Sequence, residues 1–132
     1  MTKAQKIDSA KKLRVLVVDD NDASAKTTGW TVELLGYDVK VETDPFEAIK
    51  TAAIYLPDAV LLDIGLPRLN GYEVCKEMRK NKDLKNTVFI AQTGWGDDEH
   101  KEKTKEAGFS HHLVKPVDFD KWKEVLAGLA KS

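Results

Sequence analysis

Four short apolar runs in this chain each end in a polar residue able to do chemistry. They are Leu13-Arg14-Val15-Leu16-Val17-Val18 before Asp19 and Asp20, Ala59-Val60-Leu61-Leu62 before Asp63, Val88-Phe89-Ile90-Ala91-Gln92 before Thr93, and His112-Leu113-Val114 before Lys115-Pro116. If the runs are parallel strands separated by helices, every one of those residues lies at a carboxyl edge, where open α/β sheets place their ligand sites. Three carboxylates, one hydroxyl and one ammonium then converge on one crevice. Clustered carboxylates stay ionised together only when a cation shares the site. Hard oxygen donors with room for water suit Mg2+, with Mn2+ as the alternative, and Mg2+ is usually held by one or two carboxylates plus phosphate oxygens. Such a donor set would suit a phosphate-bearing ligand.

Each residue taken alone has a plainer explanation. Asp and Thr after a strand often cap the next helix, and a lone lysine at a strand end is commonly a solvated surface residue. Asn21 and Asp22 stand nearer the first helix, however, and can cap it, which leaves Asp19 and Asp20 without a structural duty. The ordered set, rather than any member, points to a site.

The elements that must position these residues follow from pattern. Residues 1–12 are polar and lack periodicity, as a mobile tail does. After the first strand a helix is expected from Asp22 to Leu35, stopped by Gly36. Tyr37 to Glu42 alternates as a strand, and Asp44-Pro45-Phe46-Glu47 announces a second helix through an N-cap Asp, a Pro at N1 and a Glu at N3. Pro57-Asp58 closes it and opens the third strand. Asn70 caps a third helix running to about Lys80, and Val88 to Gln92 is a fourth strand. A fourth helix from Asp97 to Ala107 ends at Gly108, and Phe109 to Val114 is a fifth strand. Phe119, Trp122, Val125, Leu126 and Leu129 form the apolar stripe of a last helix. Five βα units in one domain, residues 13–132, mean a parallel sheet with helices on both faces.

Bulk composition narrows the function. With 132 residues there is room for one core, and 21 basic against 22 acidic residues give a net charge of -1. That balance exerts no general pull on nucleic acid or an anionic membrane, and a DNA-binding role would need a separate domain. No apolar stretch approaches the roughly 20 residues of a membrane span. The lysine-bearing N-terminus has no signal-peptide core, so a cytoplasmic location is expected. The single cysteine, Cys75, follows Gly71 and Val74 and precedes Met78 at helical spacing, the position of a small buried hydrophobe.

Val17-Val18-Asp19-Asp20, Leu61-Leu62-Asp63-Ile64-Gly65-Leu66-Pro67, Asn70-Gly71, Thr93-Gly94, Ala107-Gly108 and Leu113-Val114-Lys115-Pro116 together resemble the receiver (response regulator) domains of two-component phosphorelays. Only the first dozen residues lie outside the resemblance. It implies a single flavodoxin-like (βα)5 doubly wound domain with strand order 2-1-3-4-5, whose switch point gathers Asp19, Asp20 and Asp63. It further implies that Asp63 accepts phosphate from a phosphohistidine and loses it slowly to water, in a switch rather than a metabolic enzyme. Asp20 and Asp63 would ligate Mg2+ directly, with the Gly65 backbone carbonyl, and Asp19 would act through water. Thr93 and Lys115 would neutralise phosphoryl oxygens, and Lys115-Pro116 would take the cis bond that receivers have. The partners implied are a histidine kinase or histidine phosphotransfer protein and an unidentified downstream protein, with no nucleic acid or membrane; a monomer or weak dimer is expected, either stand-alone like chemotaxis regulators or as the receiver of a hybrid kinase.

Rival readings fit less well. A flavodoxin-like module for a nucleotide or flavin should carry a Gly-rich or Ser/Thr-rich loop after the first strand, where this chain has Asp19-Asp20-Asn21-Asp22. An aspartate-nucleophile phosphatase usually has its nucleophile after the first strand, and a non-phosphorylated scaffold would not need the full set. Several positions depart from the family pattern. His112 stands where receivers carry a Tyr or Phe that swings inward with the hydroxyl residue, making it a titratable switch candidate. The fourth helix has no large apolar residue and can bury little beyond Thr104 and Ala107. Trp95, two residues after Thr93, is positioned to shield the site. In the first helix Ser24, Thr28, Thr31, Val32 and Leu35 form a rather polar inward face, while Trp30 and Leu34, beside Gly29, form an outward pair suited to docking the phosphodonor.

Overall fold

Val15 to Val18 and Ala59 to Leu62 are buried without exception, which requires two central strands covered on both faces. The computed structural model describes residues 12–66, 68–94 and 98–131. Along them run β1 (Arg14–Val18), α1 (Asp22–Leu34), β2 (Asp38–Glu42), α2 (Pro45–Tyr55), β3 (Ala59–Asp63), α3 (Gly71–Arg79), β4 (Val88–Thr93), α4 (Asp98–Ala107), β5 (His111–Val114) and α5 (Phe119–Ala127). The strands form one sheet in the order β2-β1-β3-β4-β5, every pair parallel. This is the doubly wound, flavodoxin-like arrangement, and β1 and β3 meet at its switch point. Among the described residues no helix is long and apolar enough to cross a membrane.

Alternation along the strands sends side chains to two cores. Leu16, Val18, Val60, Leu62, Phe89 and Ala91 pack under α2, α3 and α4 with Ala48, Val74, Cys75, Met78 and Ala107. Val15, Val17, Ala59, Leu61, Ile90 and Leu113 pack under α1 and α5 with Val32, Trp122, Val125 and Leu126.

Helix ends follow the local chemistry of the chain. The Asn21 side chain accepts from Ser24 N at 2.9 Å and caps α1, so the capping duty does fall there and not on Asp19 or Asp20. Asp44 accepts from the amides of Phe46 and Glu47, with Pro45 in the first turn. Asn70 and Glu73 form a reciprocal capping box on α3. Gly36 and Gly108, at φ 101° and 106°, end α1 and α4 in a conformation that disfavours any side chain.

Two expectations need correction, and one short element is additional to them. The fifth strand starts at His111 rather than Phe109, because Phe109 N still bonds Thr104 O in the turn closing α4 and its ring packs edge-on against Phe89. A short 3-10 turn, Lys82–Leu84, buries Leu84 beneath the α3–β4 connection. Gly29 belongs to the buried face of α1, where a Cβ would lie 3.0 Å from Val41 Cγ2 and 3.7 Å from Val39 Cγ1. Lacking a side chain, it lets α1 press on the edge strand.

Cys75 is buried, and its thiol donates to Ala107 O at 3.3 Å. Burial pushes that thiol up to about 11, so at pH 8 it is protonated and shielded, whereas an unfolded thiol titrates near 8.5. Iodoacetamide at pH 8 is therefore expected to leave the native protein unmodified and to label Cys75 in step with urea unfolding. Rapid labelling without denaturant would contradict this packing.

Candidate functional site

Strand order brings the four run-ending positions to one edge. Asp19 follows β1, Asp63 ends β3, Thr93 ends β4 and Lys115 follows β5. The Lys115 amide donates to Thr93 O at 2.8 Å, locking the end of β5 to that of β4, and the Lys115-Pro116 peptide bond is cis. From there the ammonium reaches back across the sheet. Its Nζ lies 3.1 Å from Asp19 Oδ2 and 3.2 Å from Asp63 Oδ2.

Asp19 is fully buried, and the start of α1 completes its shell. Ser24 Oγ donates to Oδ2 at 2.7 Å and the Asn21 amide to Oδ1 at 3.0 Å. Burial by itself pushes the Asp19 carboxyl up. The Ser24 hydroxyl, the Asn21 amide and the Lys115 ammonium more than reverse this and hold it below its usual value. For Asp63 the balance is opposite. Burial raises it, the Gly65 amide (3.0 Å to Oδ1) and Lys115 only partly offset this, and the neighbouring Asp19 charge adds to the rise. Burial alone would lower Lys115, yet bonding to Asp19 and the charge of Asp63 keep its ammonium above the ordinary value.

Asp19, Asp20 and Asp63 each present a carboxylate oxygen, all within 4.8 Å of one another. An all-oxygen donor set with one exposed member fits a hard divalent cation that keeps part of its water. Asp19 is fully buried and accepts three hydrogen bonds, so exposed Asp20 and half-buried Asp63, which accepts two, are the better placed to meet a cation.

Thr93 is 2% exposed at the end of β4. His112 is half-buried on β5, its Nδ1 3.1 Å from Thr104 Oγ1 on α4, so it joins these two elements. Among the described side chains of α4, only Thr104 and Ala107 are buried. Trp30 and Leu34 stand out from α1, 63% and 80% exposed. Trp95 lies outside the described residues, as do residues 1–11.

Sequence reasoning missed three contributors. Ser24 belongs to the inward face of α1, but its bond to Asp19 depends on the docking angle of the helix. Gly71 packs so tightly that a Cβ would lie 2.6 Å from Asp63 O and 2.7 Å from Ile64 Cα, and its amide donates to Ile64 O at 3.0 Å. Arg68, at φ 66°, pairs with Asp44 and lies over the Phe46 ring, pinning the connection after Asp63 to the start of α2. Its positive φ carried no recognisable sequence signal.

Residues 15–127 match the family model for the response regulator receiver domain. The chain belongs to this family. It is 36% identical over 110 residues to a probable transcriptional regulator ycf27 of Guillardia theta, an alignment spanning 83% of this chain and 42% of that protein. The receiver thus spans less than half the length of such curated relatives. Among solved structures it resembles the Vibrio cholerae chemotaxis protein CheY4, with TM-score 0.86 and 27% identity over 90% of this chain and 99% of the other. It also resembles the receiver domain of sensor histidine kinase PA1611 from Pseudomonas aeruginosa, which has a magnesium ion coordinated in its active site cleft, with TM-score 0.84 and 27% identity over 92% and 100%.

Two outcomes follow for this receiver. Gly71→Ala must displace backbone of Asp63 and Ile64, and overpacking of that kind costs about 2 kcal/mol. Urea unfolding should register the loss, and an unchanged midpoint would show that the contact relaxes freely. Because Asp63 titrates above its unfolded value, the native state holds this proton more tightly than the unfolded chain does. Its contribution to stability is therefore unfavourable at neutral pH and recovers as pH falls. Asp63→Asn is expected to raise the thermal midpoint of the Mg2+-free protein at pH 7, with the gain shrinking under acidic conditions in calorimetry.

Proposed function

We propose that this receiver is a phosphoacceptor switch in which Asp63 takes a phosphoryl group from a phosphohistidine in the presence of Mg2+. The observation carrying this reading is the placement of Lys115 Nζ 3.2 Å from Asp63 Oδ2 while Asp19 and Asp20 stand beside the same carboxylate. A half-buried carboxylate flanked by an ammonium and two further carboxylates is a nucleophile whose incoming group must arrive with charge neutralisation already in place. The magnesium-bearing PA1611 receiver supports the choice of metal. Asp20, Asp63 and the Gly65 carbonyl would hold it, with Asp19 acting through water. Bound there, Mg2+ would offset carboxylate charge and polarise one phosphoryl oxygen.

The residues of the chain supply the rest. An Asp63 oxygen forms the new P–O bond as the N–P bond of the donor breaks, and the electron pair returns to the imidazole nitrogen, which takes up a proton. Lys115 shifts from a carboxylate bridge to a phosphoryl oxygen, and the Thr93 hydroxyl takes another. The same residues orient the slow attack of water that restores Asp63. Movement of Thr93 is passed to His112, which already meets Thr104, so α4 and β5 carry the signal to a downstream protein. Trp30 and Leu34 on α1 offer the apolar contact for a histidine kinase or phosphotransfer protein. Trp95 retains its proposed shielding role.

Intact-protein mass after incubation with acetyl phosphate and Mg2+ tests the reading. Wild type should gain one phosphoryl group and Asp63→Asn none, while Asp20→Asn should need much more Mg2+. An adduct of equal yield in Asp63→Asn would move the acceptor elsewhere.

A further inference from the structure

The sheet-facing side of α1 is poor in apolar side chains. Its buried residues are Ala25, Gly29 and Val32, and Ser24, Thr28 and Thr31 beside them are half-buried hydroxyls. Such a face cannot close against the sheet as a row of leucines would. A groove of about 550 Å³ remains between it and the β5–α5 connection, with Thr28 and Thr31 on one wall, Pro116, Val117 and Trp122 on the other, and Gln92 of β4 between them.

Gln92 sets this groove apart from an ordinary hydrated cleft. It shares its side of β4 with Ile90, whose neighbours there are apolar, and it is only 2% exposed. Yet its Nε2 has no hydrogen-bond partner among the described residues. A buried amide donor that meets no acceptor is costly, and an apolar residue of similar shape would remove the cost. Gln92 lines the groove, so an acceptor reaching its amide from there would satisfy it.

Charge and size select the occupant. Lys115, the one charged residue on the lining, is already shared between Asp19 and Asp63, so the groove has no cation left over for an anion. A volume of this order suits a small organic molecule, for which sites are typically apolar with a few placed polar groups. The Trp122, Pro116 and Val117 wall provides the first, and Gln92 with the two threonines provides the second. We propose that this groove binds a neutral heterocycle of nucleobase size whose carbonyl or ring-nitrogen acceptor takes the Gln92 Nε2 donor. The groove shares Lys115 with the acidic edge, but the proposal does not rest on the phosphoacceptor reading.

Titration of the 15N-labelled, Mg2+-free protein with uracil, nicotinamide and adenine, and with benzoate as the anionic control, tests the assignment. At least one neutral probe should shift the Gln92 side-chain amide and the Trp122 indole signals saturably, and benzoate should not. Gln92→Leu should weaken the response at Trp122 about tenfold or more, equivalent to loss of roughly 1.4 kcal/mol, while raising the thermal midpoint. Thr28→Val, on the opposite wall, provides a second variant and should weaken it as well. Absence of saturable shifts with all three neutral probes, a response to benzoate alone, or undiminished binding in Gln92→Leu would each overturn the proposal.

Discussion

One ammonium held between two carboxylates organises the carboxyl edge of this receiver. Charges withdrawn from water are tolerated only when paired and hydrogen-bonded, and Asp19, fully buried, meets that condition through three partners at once. Lys115 comes from the end of β5, while Asn21 and Ser24 come from the first turns of α1. Moving any of them would leave a buried carboxylate short of a partner. Asp63, with fewer donors and a like charge beside it, is left the less comfortable of the pair. The same bridge thus satisfies one carboxylate and leaves the other only partly compensated.

Backbone approach supplies the second constraint. With Gly71 against Asp63 O and Ile64 Cα, α3 begins directly beneath the carboxylate it helps to place, and the Asn70–Glu73 capping box fixes where that helix starts. Arg68 holds the intervening loop to Asp44 at the start of α2. Both ends of the loop after Asp63 are therefore anchored to helices packed on the same core.

The two faces of the sheet are not equivalent. Under α2, α3 and α4 the core is continuous from Leu16 to Phe109, whereas under α1 and α5 it gives way to Gln92 and the hydroxyls of α1 as it nears the acidic edge. Stability is commonly surrendered where a site needs polar groups. Here that loss lies on the side of the sheet from which Asp19 and Lys115 are held.

The sequence by itself determined most of the elements and which polar side chains end the strands, because both are local matters. Apolar runs of three to six residues bounded by turn signals are too short for buried helices and read as buried strands, Asn21, Asp44 and Asn70 announce helix starts through their own amide bonds, and a residue directly after a strand must lie at the sheet edge. Trp30 and Leu34 were legible as outward-facing for the same reason, helical spacing. Strand order came only through family resemblance, since periodicity says nothing about which strand lies beside which. Tertiary structure alone decided what depends on distant parts of the chain meeting: the Lys115 bridge, spanning 96 and 52 residues to its partners, the turning of Gly29 toward β2, the Thr104 contact of His112, and the burial of Gln92. The physical reason is that such contacts are set by sheet register and by the angle at which a helix docks. No single segment of the chain carries that information.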